Sequence, residues 1–220
     1  QIGGAAARLS QSRQEAAAHL TERIVAELGD LRMERARFEV VFEHRDDPAG
    51  CYAGERRLAF DATGVDRLEF YLAANVGEPP RPLAKVASGG ETARIMLALK
   101  SVLSRADQVP TLIFDEIDQG IGGRLGAVVG HKLWGLSDAH QVLVVTHLAQ
   151  LAGFGDAHYR VSKHVQGSRT VTRVQRLDDQ GRVDELAEML GAETTSARQS
   201  AYDILMLARR AKEGRRLETV

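Results

Sequence analysis

Thr111-Leu112-Ile113-Phe114-Asp115-Glu116 is a short, largely apolar run that ends on two carboxylates, and Gln141-Val142-Leu143-Val144-Val145-Thr146-His147 repeats the design with a histidine at its end. The stretch between them, from about Gly122 to Leu136, predicts a helix. Two apolar runs of strand length joined by a helix are the mark of a βαβ unit in a parallel sheet, with a right-handed crossover. Asp115, Glu116 and His147 then emerge together at the carboxyl edge of neighbouring strands, where open α/β sheets bind their ligands.

Upstream, Val86-Ala87-Ser88-Gly89-Gly90-Glu91 opens an apolar segment that runs to about Ser104 without glycine. A Ser followed three residues later by a Glu closes a capping box, and the first backbone N–H groups of the helix that follows are positioned to face an anion. Pro79, Pro80 and Pro82 hold the preceding chain extended. Before them, Phe38, Val40 and Phe42 alternate with Glu39, Val41 and Glu43, while Leu68, Phe70 and Leu72 alternate with Glu69, Tyr71 and Ala73, the period of antiparallel, half-buried strands. Asp46-Asp47-Pro48-Ala49-Gly50 and Asp61-Ala62-Thr63-Gly64 read as turns, with a short strand near Arg57 to Phe60. From Ala5 to Leu31 the chain predicts an amphipathic helix, with Ala17, Leu20, Ile24, Leu28 and Leu31 on one stripe. That stripe either packs on its own domain or ends a coiled coil. Beyond His147, Tyr159 and Val161 with Val171, Arg173 and Gln175 predict a hairpin about Gln166-Gly167-Ser168, and helices follow at about Val183–Leu190 and Ser196–Lys212.

The composition is that of a globular chain, 44% hydrophobic and 27% charged over 220 residues. With 29 Lys and Arg against 30 Asp and Glu, a nucleic-acid surface must be local. The lone Cys51 excludes an internal disulfide or a Cys-cluster zinc site and fits a reducing cytoplasm. No apolar run reaches the roughly 20 residues that a bilayer demands, so no membrane partner is expected. The start without Met, in a Gly/Ala stretch, suggests a piece of a longer polypeptide.

Each feature has a plain structural reading: a carboxylate after a strand caps helices, a histidine there is often structural, and Glu91 needs only to back-bond Ser88. Their order and spacing within about sixty residues argue for nucleotide chemistry, in which one strand-end carboxylate serves the Mg²⁺ shell and the next stands beside an attacking water. Arg209, Arg210, Lys212, Arg215 and Arg216 form a basic tail, which either complements the helix dipole in solvent or contacts DNA.

The residues also carry a family resemblance. Val86 to Glu91 resembles the signature motif of ATP-binding-cassette ATPases, Thr111 to Glu116 their Walker B strand, Ile117-Asp118-Gln119-Gly120 their D-loop and Thr146-His147 their switch-histidine motif. With Arg94 to Lys100 behind the signature and Gly120-Ile121-Gly122-Gly123-Arg124 after the D-loop, the chain is more closely similar to the SMC-like ATPases of bacterial double-strand break repair. The resemblance covers Phe38 to the C-terminus and implies the fold class: an α/β head lobe of ABC/SMC type, a parallel sheet with flanking helices, an antiparallel β portion and an N-terminal coiled-coil helix. It implies an arm helix over 1–35 and a C-terminal head lobe over 36–220, divided into antiparallel strands (36–80), the signature, Walker B and switch core (84–165) and a closing hairpin with helices (166–220). Glu116 and His147 are then the catalytic residues. Ser88, Gly89, Gly90, Glu91 and Asp118 bind ATP or signal across the dimer, Asp115 holds Mg²⁺ through water, and Arg94 supports the signature helix. No G-x-x-x-x-G-K-[ST] occurs. The resemblance therefore implies an N-terminal P-loop lobe as partner, a homodimer of heads with ATP sandwiched between them, double-stranded DNA as ligand and a cytoplasmic, nucleoid-associated location. A transporter nucleotide-binding domain and a non-catalytic interaction module remain the alternatives.

Overall fold

In the computed structural model the chain forms two compact units, Gln1–Val102 and Leu103–Val220. The structure describes residues 1–85, 89–104, 106, 109–166, 169–191 and 194–218, with side chains at all of these but 89, 90 and 215–218.

The first unit opens with a 29-residue helix, α1 (Ile2–Asp30). Gly3, Ala6, Ser10, Arg13, Ala17, Leu20, Ile24 and Leu28 withdraw from solvent in a three-four alternation that keeps them on one side of the helix. This seam lies on the antiparallel strands that follow, β1 (Arg37–Glu43) and β2 (Asp46–Ala53). Gly3 permits the closest approach, because a Cβ there would stand 1.8 Å from the Tyr52 carbonyl oxygen. The stripe seen in the sequence is thus occupied by the helix's own unit, while Ile2 and Leu9 on another side remain 56% and 40% exposed.

β1 pairs with β4 (Arg67–Ala73) in the register the alternation predicts, Phe38 opposite Leu72, Val40 opposite Phe70 and Phe42 opposite Leu68. Short β5 (Arg81–Pro82) extends the sheet to the order β1-β4-β5. β2 pairs with β3 (Arg56–Leu58), which corrects the expected turn at Asp46–Gly50: the segment is a strand with a register shift between Asp46 and Cys51. The turn chemistry survives inside it, since the Ala49 N–H donates to Asp47 Oδ1 at 2.8 Å. The turn at Asp61–Gly64 forms as expected, with Asp61 Oδ1 accepting from the Thr63 N–H and hydroxyl. A 3-10 turn over Leu83–Lys85 follows the prolines, and α2 (Gly89–Leu103) buries Ile95, Leu97 and Ala98 completely.

The second unit contains the expected parallel pair, β6 (Thr111–Phe114) and β7 (Gln141–Val144), joined through α3 (Gly123–Leu136). Leu112 and Phe114 are buried on one side of this pair. On the other side Ile113, Leu143 and Val145 are 71%, 47% and 61% exposed. His140, itself buried, donates from Nδ1 to the Val109 carbonyl at 2.6 Å and aligns the start of β7 with that of β6. A four-residue helix, α4 (Ala149–Ala152), too short to leave a periodic trace in the sequence, packs against α3. Gly130 makes room for it: a Cβ there would meet the Phe154 ring at 2.7 Å. β8 (Tyr159–Gln166) and β9 (Arg169–Arg176) form the hairpin, and α5 (Asp179–Met189) and α6 (Thr195–Glu218) share a core of Ala149, Val183, Leu186, Ala187 and Ala201 with α4.

Candidate functional site at the carboxyl ends of β6 and β7

The parallel ladder continues one step past the strands, because the Val145 N–H donates to the Phe114 carbonyl at 2.9 Å. Asp115 therefore leaves β6 where Thr146 and His147 leave β7, and the sheet delivers the polar residues side by side.

Asp115 and Glu116 are exposed, while the next two residues, Ile117 and Asp118, turn inward at 0% and 4% exposure. The reversal requires an unusual backbone. Glu116 has φ +57°, left-handed for a residue with a Cβ, a conformation that costs on the order of 1–2 kcal/mol. Asp115 Oδ1 accepts the Glu116 N–H at 2.9 Å, and the turn closes through Gln119 N–H to the Glu116 carbonyl (3.1 Å) and Ile121 N–H to the Asp118 carbonyl (3.2 Å). Gly120, at φ +74°, supplies the second left-handed position.

One oxygen of the inward Asp118 organises the end of β7. Its Oδ2 accepts from the Thr146 hydroxyl and from the His147 backbone N–H at 2.8 Å, and His147 Nδ1 lies 3.1 Å from the same oxygen. Thr146 Oγ1 in turn accepts the Leu148 N–H at 3.0 Å. The His147 side chain is 78% exposed, so the imidazole stands in solvent on a rigid, buried anchor. With Nδ1 beside a carboxylate, Nε2 is the nitrogen that faces away from it, towards an external ligand. The resemblance implies a part for Asp118 in binding ATP or signalling across a dimer. In the structure its side chain lies buried between the turn after β6 and the histidine after β7, a placement of which the sequence carries only the spacing.

Of the remaining expected residues, Ser88 lies outside the described residues, and Gly89 and Gly90 form the first positions of α2. Glu91 sits half-buried in the first turn of that helix and Arg94 half-buried in the second. In the tail, Lys212 folds back onto Asp156 (2.7 Å) and lies over the Trp134 ring at 5.3 Å, and Arg209 pairs with Glu213 at 3.0 Å. Arg210 is exposed; the side chains of Arg215 and Arg216 fall outside the described ones. A cleft of about 470 Å³ opens elsewhere in this unit, at Asp156, His158, Arg176, Asp178 and Arg182, and none of the strand-end carboxylates lines it. There burial, helped by the Arg182 charge, holds His158 below the ordinary histidine value.

The amino-acid sequence matches that of known proteins. The chain is 41% identical to DNA repair protein RecN of Streptomyces coelicolor over 211 residues, covering 95% of this chain and 37% of that protein. To the RecN of Halalkalibacterium halodurans it is 42% identical over 204 residues, or 92% of this chain and 35% of the relative. Over this span the chain is a RecN-family sequence. It spans a little over a third of the length of these RecN relatives. No family model matches. Among solved structures, the Smc head domain with a coiled coil and joint from Pyrococcus yayanosii superposes with a TM-score of 0.54 at 20% identity, covering 80% of this chain and 30% of that one. The fold is therefore that of an SMC-type head, as the RecN likeness requires. No helix among the described residues is long and apolar enough to cross a membrane.

Proposed function

We propose that this chain is the C-terminal part of an SMC-like DNA repair ATPase, supplying the signature turn, the Walker B carboxylates and the switch histidine of a head that hydrolyses ATP when two heads close on the nucleotide. The observation that carries the reading is the clamp of Thr146 and His147 onto Asp118, one turn from the left-handed Glu116. It fixes an exposed carboxylate and an exposed imidazole on one sheet edge.

The donor set fits Mg²⁺. That ion takes one or two carboxylates and completes its octahedron with waters and substrate phosphates, so a lone exposed Asp115 suffices, and no cluster of three or more ligating side chains is present among the described residues. Asp115 would hold the ion through water, and the bound ion supplies charge neutralisation on the phosphates. Glu116 accepts a proton from, or orients, the attacking water, with its carboxylate turned outward by the backbone reversal. His147 contributes a donor to the γ-phosphate from Nε2, and Asp118 holds the ring for it. Ser88, Gly89 and Gly90 present the N-terminal end of α2 to the γ-phosphate of the opposite head. The P-loop comes from an N-terminal lobe of the same protein, and α1 leads out into the coiled-coil arm. RecN likeness over nearly the whole chain favours this over a transporter domain or a non-catalytic module.

The test is Glu116→Gln in the full-length protein. ATP binding and head association are expected to persist while turnover falls at least a hundredfold, in the range of one lost catalytic acid–base group. Turnover at the unmodified rate would remove Glu116 from this role.

A further inference from the structure

The hairpin β8–β9 carries Arg160, Lys163, Arg169, Arg173 and Arg176 and no Asp or Glu between Tyr159 and Arg176, in a chain whose net charge is −1. The tail residues singled out as a basic surface are partly consumed, Lys212 by Asp156 and Arg209 by Glu213. The hairpin's charge is distributed differently.

Its register sorts the side chains into two rows. Arg160, Ser162, His164 and Gln166 share one face with Gln175, Arg173, Val171 and Arg169, and Val161, Lys163 and Val165 share the other with Val174, Thr172 and Thr170. At the base Arg160 is spent on Glu185 (3.1 Å) and Glu188 (2.8 Å) of α5, and Arg176 lines the cleft that also holds Asp156, Asp178 and Asp179. Towards the tip there is no such compensation. Lys163, Arg169 and Arg173 are exposed, and none has an ion pair among the described residues.

We infer that one face of the outer half of this β-ribbon is a contact site for the sugar–phosphate backbone of duplex DNA, carried by Arg169 and Arg173. The exposed amide of Gln166, opposite Arg169 on that face, is a further group that serves phosphates. Arg169 and Arg173 stand four residues apart on one strand, about 13 Å at the rise of a β-strand, which matches roughly four phosphate steps along a duplex. A two-stranded ribbon is also of a width that B-DNA's major groove admits. Binding to single strands would call for aromatic stacking platforms. The one aromatic in the hairpin, Tyr159, lies at its base. The choice of DNA over other polyanions rests on the repair-ATPase reading above; the site itself rests on the hairpin.

The experiment measures affinity of the full-length protein for a short labelled duplex across a salt series, comparing Arg169→Gln/Arg173→Gln with the unmodified protein. Loss of two phosphate contacts is expected to reduce the log–log salt slope by about 1.8, at roughly 0.9 per contact. A second variant, Arg169→Lys/Arg173→Lys, keeps the charge and should keep the slope, which separates charge loss from misfolding. ATP turnover of the unmodified protein is measured beside its duplex binding, so the ATPase reading and the hairpin site fail separately. An unchanged slope in the double glutamine variant, a preference for single strands, or a slope that responds to Arg209→Gln/Arg210→Gln and not to the hairpin would overturn the assignment.

Discussion

Asp118 gives one oxygen to two donors and to the His147 ring beside them, and that concentration sets what its loss should do. Asp118→Ala strands the Thr146 hydroxyl and the His147 N–H in a half-buried turn. A buried donor without a partner costs about 1–3 kcal/mol, so denaturant unfolding should shift by that amount. If Asp118 also positions the imidazole, kcat for ATP should fall more than KM rises. A purely structural role would instead leave the kcat of the surviving folded fraction intact. Glu116 offers the complementary case. Its left-handed φ is a strained conformation for a residue with a Cβ, at the position proposed to meet the attacking water. Glu116→Gly removes side chain and strain together, and should be inactive yet unfold about 1 kcal/mol later than Glu116→Gln, which keeps the strain. Equal stability of the two variants, measured by thermal melts, would show that the turn stores nothing.

Among the elements, α1 shows how a heptad-like seam can be claimed by a sheet. Its polar positions are as informative as its leucines. Ser10 Oγ donates to Asp66 Oδ1 (2.6 Å), Arg13 pairs with Asp66 Oδ2 (2.9 Å) and reaches the Thr63 carbonyl (2.8 Å), and His44 adds a contact to Oδ1 (2.9 Å). Burial pushes the Asp66 carboxyl up, but these hydrogen bonds and the Arg13 charge outweigh it and leave the group below its ordinary value. A carboxylate with a depressed folded value contributes stability that is complete above the unfolded value of about 3.9 and is lost as the pH falls through the folded value. Helicity of α1 and stability of the first unit should therefore decline below about pH 4, and Asp66→Asn should abolish that decline while costing about 1–3 kcal/mol at neutral pH. An unchanged acid transition in the variant would exclude Asp66 as its source. Ser10 and Arg13 lay on the stripe in the sequence but were invisible to a search for apolar period. The bulged β2 was hidden for a related reason: Asp47 and Pro48 carry real turn chemistry, and a strand that tolerates them at a bulge cannot be told from a loop by composition.

For the molecule as a whole, the long-range pairings that mattered were readable because each rests on a contiguous pattern. β1 with β4 follows alternation, and β6 with β7 follows two apolar runs closed by acids and a histidine. The placement of Asp115, Glu116 and His147 on one edge follows from that topology alone. What composition concealed was local. A net charge of −1 averages away the hairpin's cations.

The bare face of β6–β7 has a further consequence. Ile113, Leu143 and Val145 form an apolar row on a two-stranded parallel sheet, an arrangement normally sheltered on both sides. Made by itself, this polypeptide presents the kind of surface that chaperones hold and inclusion bodies recruit. Production in cells should show it: yield in the soluble fraction is expected to rise when the P-loop lobe is co-expressed, or when Ile113 and Val145 are both replaced by Thr. A soluble yield indifferent to both changes would mean the face is harmless uncovered. If it does rise, newly made protein is a client of the folding machinery for as long as this row stays uncovered, and cellular quality control decides how many folded copies accumulate.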